Sequence, residues 1–317
     1  MTICEICDNT VDNKSYVARE MMYGYRDKFE YFECGKCGCL QIKNVPENLS
    51  KYYPTDYYSI KKIEEKGVLK SFLKRQLANY SFYNKGIIGK MLTIKYDLPF
   101  DPEWFRCSKV SFDSKILDVG CGAGHLLYYL RLVGFSNCTG IDPFISEDIF
   151  YNNGVTILKK EIRDHDDQFD FIMLHHSFEH MKEPLSVLKE LIRLLKPDRY
   201  IVIRIPIASF AWRKYGINWI QLDAPRHLFL HTTKSVQILT EQVGFRIADI
   251  VFESTDFQFW GSEQYVMDIP LKDRLSYAVN PRKSIFSKKQ INYFKAKAHE
   301  LNDNGEGDTV CIYLYKP

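Results

Sequence analysis

Long apolar runs are missing from this 317-residue chain. None approaches the roughly 20 residues a membrane-spanning helix needs, so no membrane span is expected. The N-terminus lacks the charged-then-apolar layout of a secretory signal and opens with cysteines instead, which makes a reducing cytoplasm the expected location. A large charge imbalance is missing too. Lys and Arg number 43 against 40 Asp and Glu, a net charge of +3, which argues against a dedicated nucleic-acid binder. Internal repeats and low-complexity tracts are absent, excluding solenoids and biased disordered segments. The length admits one large α/β domain and a smaller attachment.

Three stretches differ in character. Residues 1–66 hold five of the nine cysteines and many tyrosines and read as short strands and turns. Residues 67–110 read as a helical linker or cap: Leu69, Phe72, Leu73 and Leu77 fall at helical spacing, and Ile87, Ile88, Met91 and Leu92 predict a second helix. Residues 111–317 alternate strand-like and helix-like segments, which implies a parallel sheet. The expected strands are Lys115–Val119, Asn137–Ile141, Val155–Lys159, Asp170–Leu174, Tyr200–Ile205, Phe245–Phe252 and Thr309–Tyr315. Helices are expected over Gly122–Val133, Glu183–Leu195 (stopped by Pro197) and Thr232–Val243, with a long mixed segment at about 255–308.

The stretch Ile116-Leu117-Asp118-Val119-Gly120-Cys121-Gly122-Ala123-Gly124 runs an apolar strand into glycines that open a helix. Glycines permit a tight turn and close backbone approach to a ligand, and a helix N-terminus offers free N–H groups. Asp142, 22 residues after Gly120, ends the next strand, where an acid can accept from ribose hydroxyls. The pattern is G-x-G-x-G, with His125 where the third glycine of the dinucleotide fingerprint would stand. Asp118 also suits a cationic ligand better than a pyrophosphate. Both points favour S-adenosylmethionine (SAM), which carries an ammonium and a sulfonium. Cys121 reads as a filler of small space rather than a nucleophile.

Cys4-x-x-Cys7 and Cys34-x-x-Cys37 form two knuckles with 26 residues between them. Four thiolates complete a closed tetrahedral Zn²⁺ site, which predicts a structural ion holding a segment too small for its own core. Cys39 is a spare that could substitute.

Residues 111–317 resemble class I SAM-dependent methyltransferases through the glycine motif, Asp142, the strand Phe169-Asp170-Phe171-Ile172-Met173-Leu174, and Leu194-Leu195-Lys196-Pro197-Asp198-Arg199-Tyr200-Ile201. The resemblance implies a Rossmann-like seven-stranded sheet whose last strand, Thr309–Tyr315, runs antiparallel, preceded by a zinc-ribbon-like module. It implies a cofactor set of Asp118, Gly120, Cys121, Gly122, Gly124, Asp142, Glu161, Ile162 and His175. Asp118, Gly120 and Gly122 would line the methionine end, Asp142 the ribose, and Glu161 with Ile162 the adenine, with Asp164 or Asp166 as alternatives. The cysteine-rich start, Tyr52-Tyr53-Pro54-Thr55-Asp56-Tyr57-Tyr58, Ser262-Glu263-Gln264-Tyr265 and Asp268-Ile269-Pro270-Leu271 resemble methyltransferases that modify sugars, so the implied acceptor is a small carbohydrate.

A hydroxyl or ammonium acceptor must lose a proton, and histidine suits that task at neutral pH. His176 and His227 are the expected bases, with His180 third. Arg226 pairs either with an acidic acceptor or with Asp223, and Trp212 and Trp219 are candidates for a sugar face or for the core. His176-x-x-Glu179-His180 matches a zinc-protease pattern, but it begins where a buried strand ends, not on a helix. Two other readings compete. One is a zinc-ribbon RNA methyltransferase, disfavoured because residues 1–66 carry ten Lys/Arg against eleven Asp/Glu. The other is a non-catalytic scaffold with the same fold, disfavoured by the complete glycine motif.

Overall fold

The computed structural model describes residues 2–54, 63, 69–83, 86–94, 96, 98, 100–106, 108 and 110–317. Tyr57 and Tyr58 of the tyrosine-rich segment lie outside them. The chain begins with three short antiparallel strands, β1 (Lys14–Arg19), β2 (Lys28–Glu33) and β3 (Leu40–Ile42). Helices α1 (Leu69–Tyr83), α2 (Ile87–Thr93) and α3 (Glu103–Arg106) follow. Then come β4 (Lys115–Val119), α4 (His125–Val133), β5 (Asn137–Ile141), β6 (Ile149–Phe150), β7 (Thr156–Leu158) and β8 (Phe169–His175). The second half runs α5 (Pro184–Leu194), β9 (Leu195–Pro206), α6 (Phe210–Tyr215), β10 (Phe229–Leu230), α7 (Thr233–Val243), β11 (Arg246–Phe252), α8 (Phe257–Val266), α9 (Lys288–Asp303) and β12 (Thr309–Lys316).

The main sheet has the order β11-β12-β9-β8-β4-β5-β7-β6. Strands β7, β5, β4, β8 and β9 are parallel, while β12 runs antiparallel between β9 and β11, as the expected last strand should. An eighth strand was not expected. It is β6, a two-residue antiparallel partner of β7, turned back by Gly154 at φ +89°. The helix expected to open at Gly122 opens at His125. Gly120, Gly122 and Gly124 sit at φ +73°, +55° and +76°, a left-handed conformation that cannot propagate a right-handed helix. Pro197 falls inside β9, whose pairing with β8 is irregular until Tyr200.

The central strands are buried on both faces, as parallel strands under helices must be. Alternate residues serve opposite layers. Leu117, Val119, Ile172 and Leu174 join one core, and Ile116, Phe171 and Met173 join the other. The first core also takes in Cys4, Ile6, Tyr31 and Leu40 from the N-terminal segment together with Ile205, Trp212 and Trp219. That shared core has a backbone counterpart: β10 pairs antiparallel with β3, completing a four-stranded N-terminal sheet with a strand from the far half of the chain. Among the described residues no helix is long and apolar enough to cross a membrane.

Candidate active site

The parallel strands all end on one edge, and the first crevice lies there between β4 and β5. A Cβ on Gly120 would stand 2.5 Å from Ser177 Cβ, and one on Gly124 would stand 2.3 Å from Ile157 Cδ1, so these positions require glycine for room as well as for φ. Cys121 packs against Gly140, its Sγ lying 2.4 Å from where a Cβ there would be. Asp142 ties the turn to the end of β5, its Oδ2 accepting from Gly122 N–H and its Oδ1 from Phe144 N–H, both at 2.8 Å. Burial and the nearby Asp142 push the Asp118 carboxyl up to about 8. No cation or hydrogen-bond donor faces Asp118 among the described residues, which leaves a buried acid suited to a cationic ligand. His175 ends β8 with both ring nitrogens buried and without a hydrogen-bond partner among the described residues, its ring 4.4 Å from that of Trp104. Glu161 is exposed, Ile162 is half-buried, and Asp164 and Asp166 are exposed.

A cavity of about 370 Å³ opens beside the crevice, at the ends of β8 and β9 and the start of β12. His176, His180 and His227 line it together with Arg204, Asp223, Glu253 and Asp308. The three histidines surround Glu179, whose side chain is wholly buried. Burial pushes the Glu179 carboxyl up, but the His176, His180 and His227 rings outweigh it and hold the group at about 2. Oε2 of Glu179 has no hydrogen-bond partner among the described residues, and Oε1 faces His176 Nδ1 at 3.4 Å. His176 Nε2 accepts from Arg204, which also pairs with Glu253. Nδ1 of His180 donates to the Arg226 carbonyl at 2.8 Å, and Nδ1 of His227 donates to the Gln221 carbonyl at 2.6 Å. Burial and the neighbouring His180 lower His227 to about 4, so it is neutral at pH 7.

Arg226 answers the choice its sequence position posed. It is fully buried and pairs with Asp223 at 2.6 Å and with Glu20 at 3.0 Å, so it is not available to an acceptor. Glu20 belongs to the cysteine-rich segment, as does Tyr31, whose hydroxyl donates to the His227 carbonyl at 2.8 Å. Tyr53 Oη lies 3.2 Å from His180 Nδ1. Trp219 donates to Asp308 from within the core, and Trp212 packs edge-on against Tyr16; neither lines the cavity.

The other cluster sits at the N-terminus. Ligand atoms of Cys4, Cys7, Cys34 and Cys37 lie within 4.8 Å of one another, and the Cys4–Cys37 and Cys7–Cys34 Sγ pairs are each 3.6 Å apart. Tetrahedral zinc with Zn–S bonds near 2.3 Å requires S···S separations of about 3.8 Å, so the quartet fits that ion. Backbone N–H groups of Lys36 and Cys37 approach Cys34 Sγ at 3.4 Å, as a thiolate needs. Cys39 stands apart, its Sγ facing His231 Nδ1 at 3.8 Å.

Sequence reasoning missed Arg204, Glu253, Asp308 and Glu20. Arg204 left a signal, a charge inside the apolar run Ile201–Ile205. Glu20 left none, since its partner is 206 residues away.

The family model described as a methyltransferase domain matches residues 73–250. A ubiquinone biosynthesis O-methyltransferase of Haemophilus ducreyi is 34% identical over 149 residues, covering 41% of this chain and 63% of the relative. The enzyme of the same name from Actinobacillus pleuropneumoniae serotype 7 is 33% identical over 102 residues, covering 27% of this chain and 43% of the relative. The chain thus spans less than two thirds of either relative's length. A cyclopropane synthase structure from Mycobacterium tuberculosis aligns over 78% of this chain and 94% of its own, at 13% identity and a TM-score of 0.44. With a glycine turn, an acid closing the second strand and a family match over more than half its length, the chain belongs to the class I SAM-dependent methyltransferase family.

Proposed function

We propose that the chain transfers a methyl group from SAM to a small hydroxyl-rich acceptor, a sugar or nucleotide-linked sugar, bound in the 370 Å³ cavity. The observation that carries this reading is the lining. Asp223, Glu253, Asp308, Gln221, Arg204 and Lys272 present donors and acceptors from several sides, as a polyhydroxylated ligand requires. The O-methyltransferase names of the relatives support oxygen as the accepting atom.

In this reading Asp142 accepts from the ribose hydroxyls and Asp118 faces the ammonium of the methionine end. Gly120, Cys121, Gly122 and Gly124 give the backbone room for close approach, His175 walls the crevice, and Glu161 and Ile162 flank the adenine. When bound, SAM supplies a methyl group on a sulfonium that an aligned nucleophile displaces in line. The acceptor proton leaves to the histidine cluster of His176, His180 and His227. Arg204 already occupies the His176 Nε2 lone pair, so His180 and His227, which keep Nε2 unprotonated, are the better bases.

We also place structural zinc on Cys4, Cys7, Cys34 and Cys37, working in the reducing cytoplasm. Residues 1–66 serve as the metal module, 67–110 as a helical cap and 111–317 as the transfer domain. Incubation with methyl-labelled SAM and, in parallel, nucleotide sugars, a phenolic quinone precursor and RNA tests the acceptor. Label in the sugar fraction is expected. Label confined to phenol or RNA overturns the acceptor class, and tight SAM binding with no label in any fraction favours a scaffold.

A further inference from the structure

We propose that Glu179, His180 and His227 form a second metal site, distinct from the thiolate quartet, that binds a divalent first-row transition ion at the wall of the acceptor cavity. Ligand-capable atoms of these three residues lie within 4.8 Å of one another. Two come from the turn after β8, and the third comes from the segment between α6 and β10. The inference rests on the reading of that cavity as the acceptor site and refines the part its histidines play.

Three features point to a cation. The first is Glu179 itself, wholly buried, with Oε2 unpartnered among the described residues and only the His176 ring near Oε1, at 3.4 Å, an arrangement that is costly unless a positive charge meets it. The second is the orientation of the imidazoles. Main-chain carbonyls of Arg226 and Gln221 fix the proton of His180 and His227 on Nδ1, which leaves Nε2 of each as a lone pair. Metal-binding histidines are held in this way, the second nitrogen donating to an acceptor that fixes the tautomer. The third is the contact between His227 Nε2 and Glu179 Oε1 at 3.9 Å. A lone pair and a carboxylate oxygen face each other there with no proton between them, and a bound cation turns that repulsion into two bonds.

The donor set selects the ion. Two imidazole nitrogens and one carboxylate oxygen suit zinc, iron, cobalt or manganese, whereas magnesium and calcium prefer oxygen alone. Three protein ligands leave positions open, and His180 and His227 both line the cavity, so an open position faces the acceptor. A hydroxyl coordinated there would lose its O–H proton to water near neutral pH, and its oxygen would donate the electron pair that bonds the methyl carbon of SAM as the carbon–sulfur bond breaks and the thioether product leaves. His180 and His227 then act as ligands rather than bases. The pattern His176-x-x-Glu179-His180 is therefore not a protease motif: His176 is taken by Arg204, and the third ligand comes from His227.

The test is cobalt titration of the full-length, metal-stripped protein. Wild type takes two equivalents, one showing the intense thiolate charge-transfer band of the cysteine quartet and one without it. Glu179→Gln and His227→Asn keep the thiolate band and bind the thiolate-free equivalent at least about 100-fold more weakly. The retained band and undiminished SAM binding report that each variant is folded. Absence of any thiolate-free equivalent in wild type, or its unchanged affinity in both variants, overturns the site. Methyl transfer by protein lacking that equivalent overturns the metal's part in the reaction while leaving the methyltransferase reading intact; loss of transfer restored by cobalt supports both.

Discussion

Asp118 is buried, faces Asp142, and meets no compensating charge among the described residues, so its carboxyl is pushed up from the ordinary 3.8 to about 8. The folded protein therefore holds a proton there that the unfolded chain gives up. Stability from this group is fully present below about pH 4 and is lost as pH rises toward 8. A bound cation reverses the preference. At pH 7, SAM binding is expected to release close to one proton, read by calorimetry in two buffers of different ionisation heat. Asp118→Asn should release none, and identical heats for wild type in both buffers would count against the assignment. Asp142 makes a different contribution. Hydrogen bonds to a charged group are worth about 1.5–3 kcal/mol, so Asp142→Ala should weaken SAM about 10- to 100-fold without changing metal content. Equal affinity in that variant removes the ribose role.

Among the elements, the turn from β4 into α4 is the most demanding. Gly124→Ala meets Ile157 Cδ1 at 2.3 Å in a left-handed conformation, and an expected loss of about 1–3 kcal/mol follows. Gly244, which caps α7 at φ +90° with nothing within 4 Å, provides the control, since Ala there costs about 1 kcal/mol from conformation alone. Urea denaturation compares the two, and equal losses would discount the close approach. This turn was legible because its determinants are local: an apolar strand, three glycines, and an acid at the end of the next strand. The strands β4 and β5 run over the residues the apolar pattern marked. The two-residue β6 was not legible, because so short a strand exists only through its pairing with β7.

Across the whole molecule, what escaped the sequence is long-range. The pairing of β10 with β3, the Arg226–Glu20 ion pair and the Tyr31–His227 hydrogen bond join segments with no periodic signal connecting them. Their energetic weight is testable. Removing one member of a buried ion pair costs about 3–5 kcal/mol, so Arg226→Met should lower stability by that amount in denaturant unfolding. A change under 1 kcal/mol would show that Arg226 does not hold the loop. Because Cys4 and Tyr31 share a core with Ile205 and Trp219, Cys34→Ser should depress a single unfolding transition. Two separated transitions would mean that the N-terminal segment folds alone.

The completion of the first sheet by β10 also bears on how the chain is made. Translation delivers Cys4 through Ile42 long before Phe229 and Leu230 leave the ribosome, so the nascent segment has no edge partner for most of synthesis. An ion seized early by the four thiols would hold those first strands in register while they wait. On the proposed zinc reading, a cell starved of that ion would accumulate faulty copies during translation, rather than by stripping mature ones.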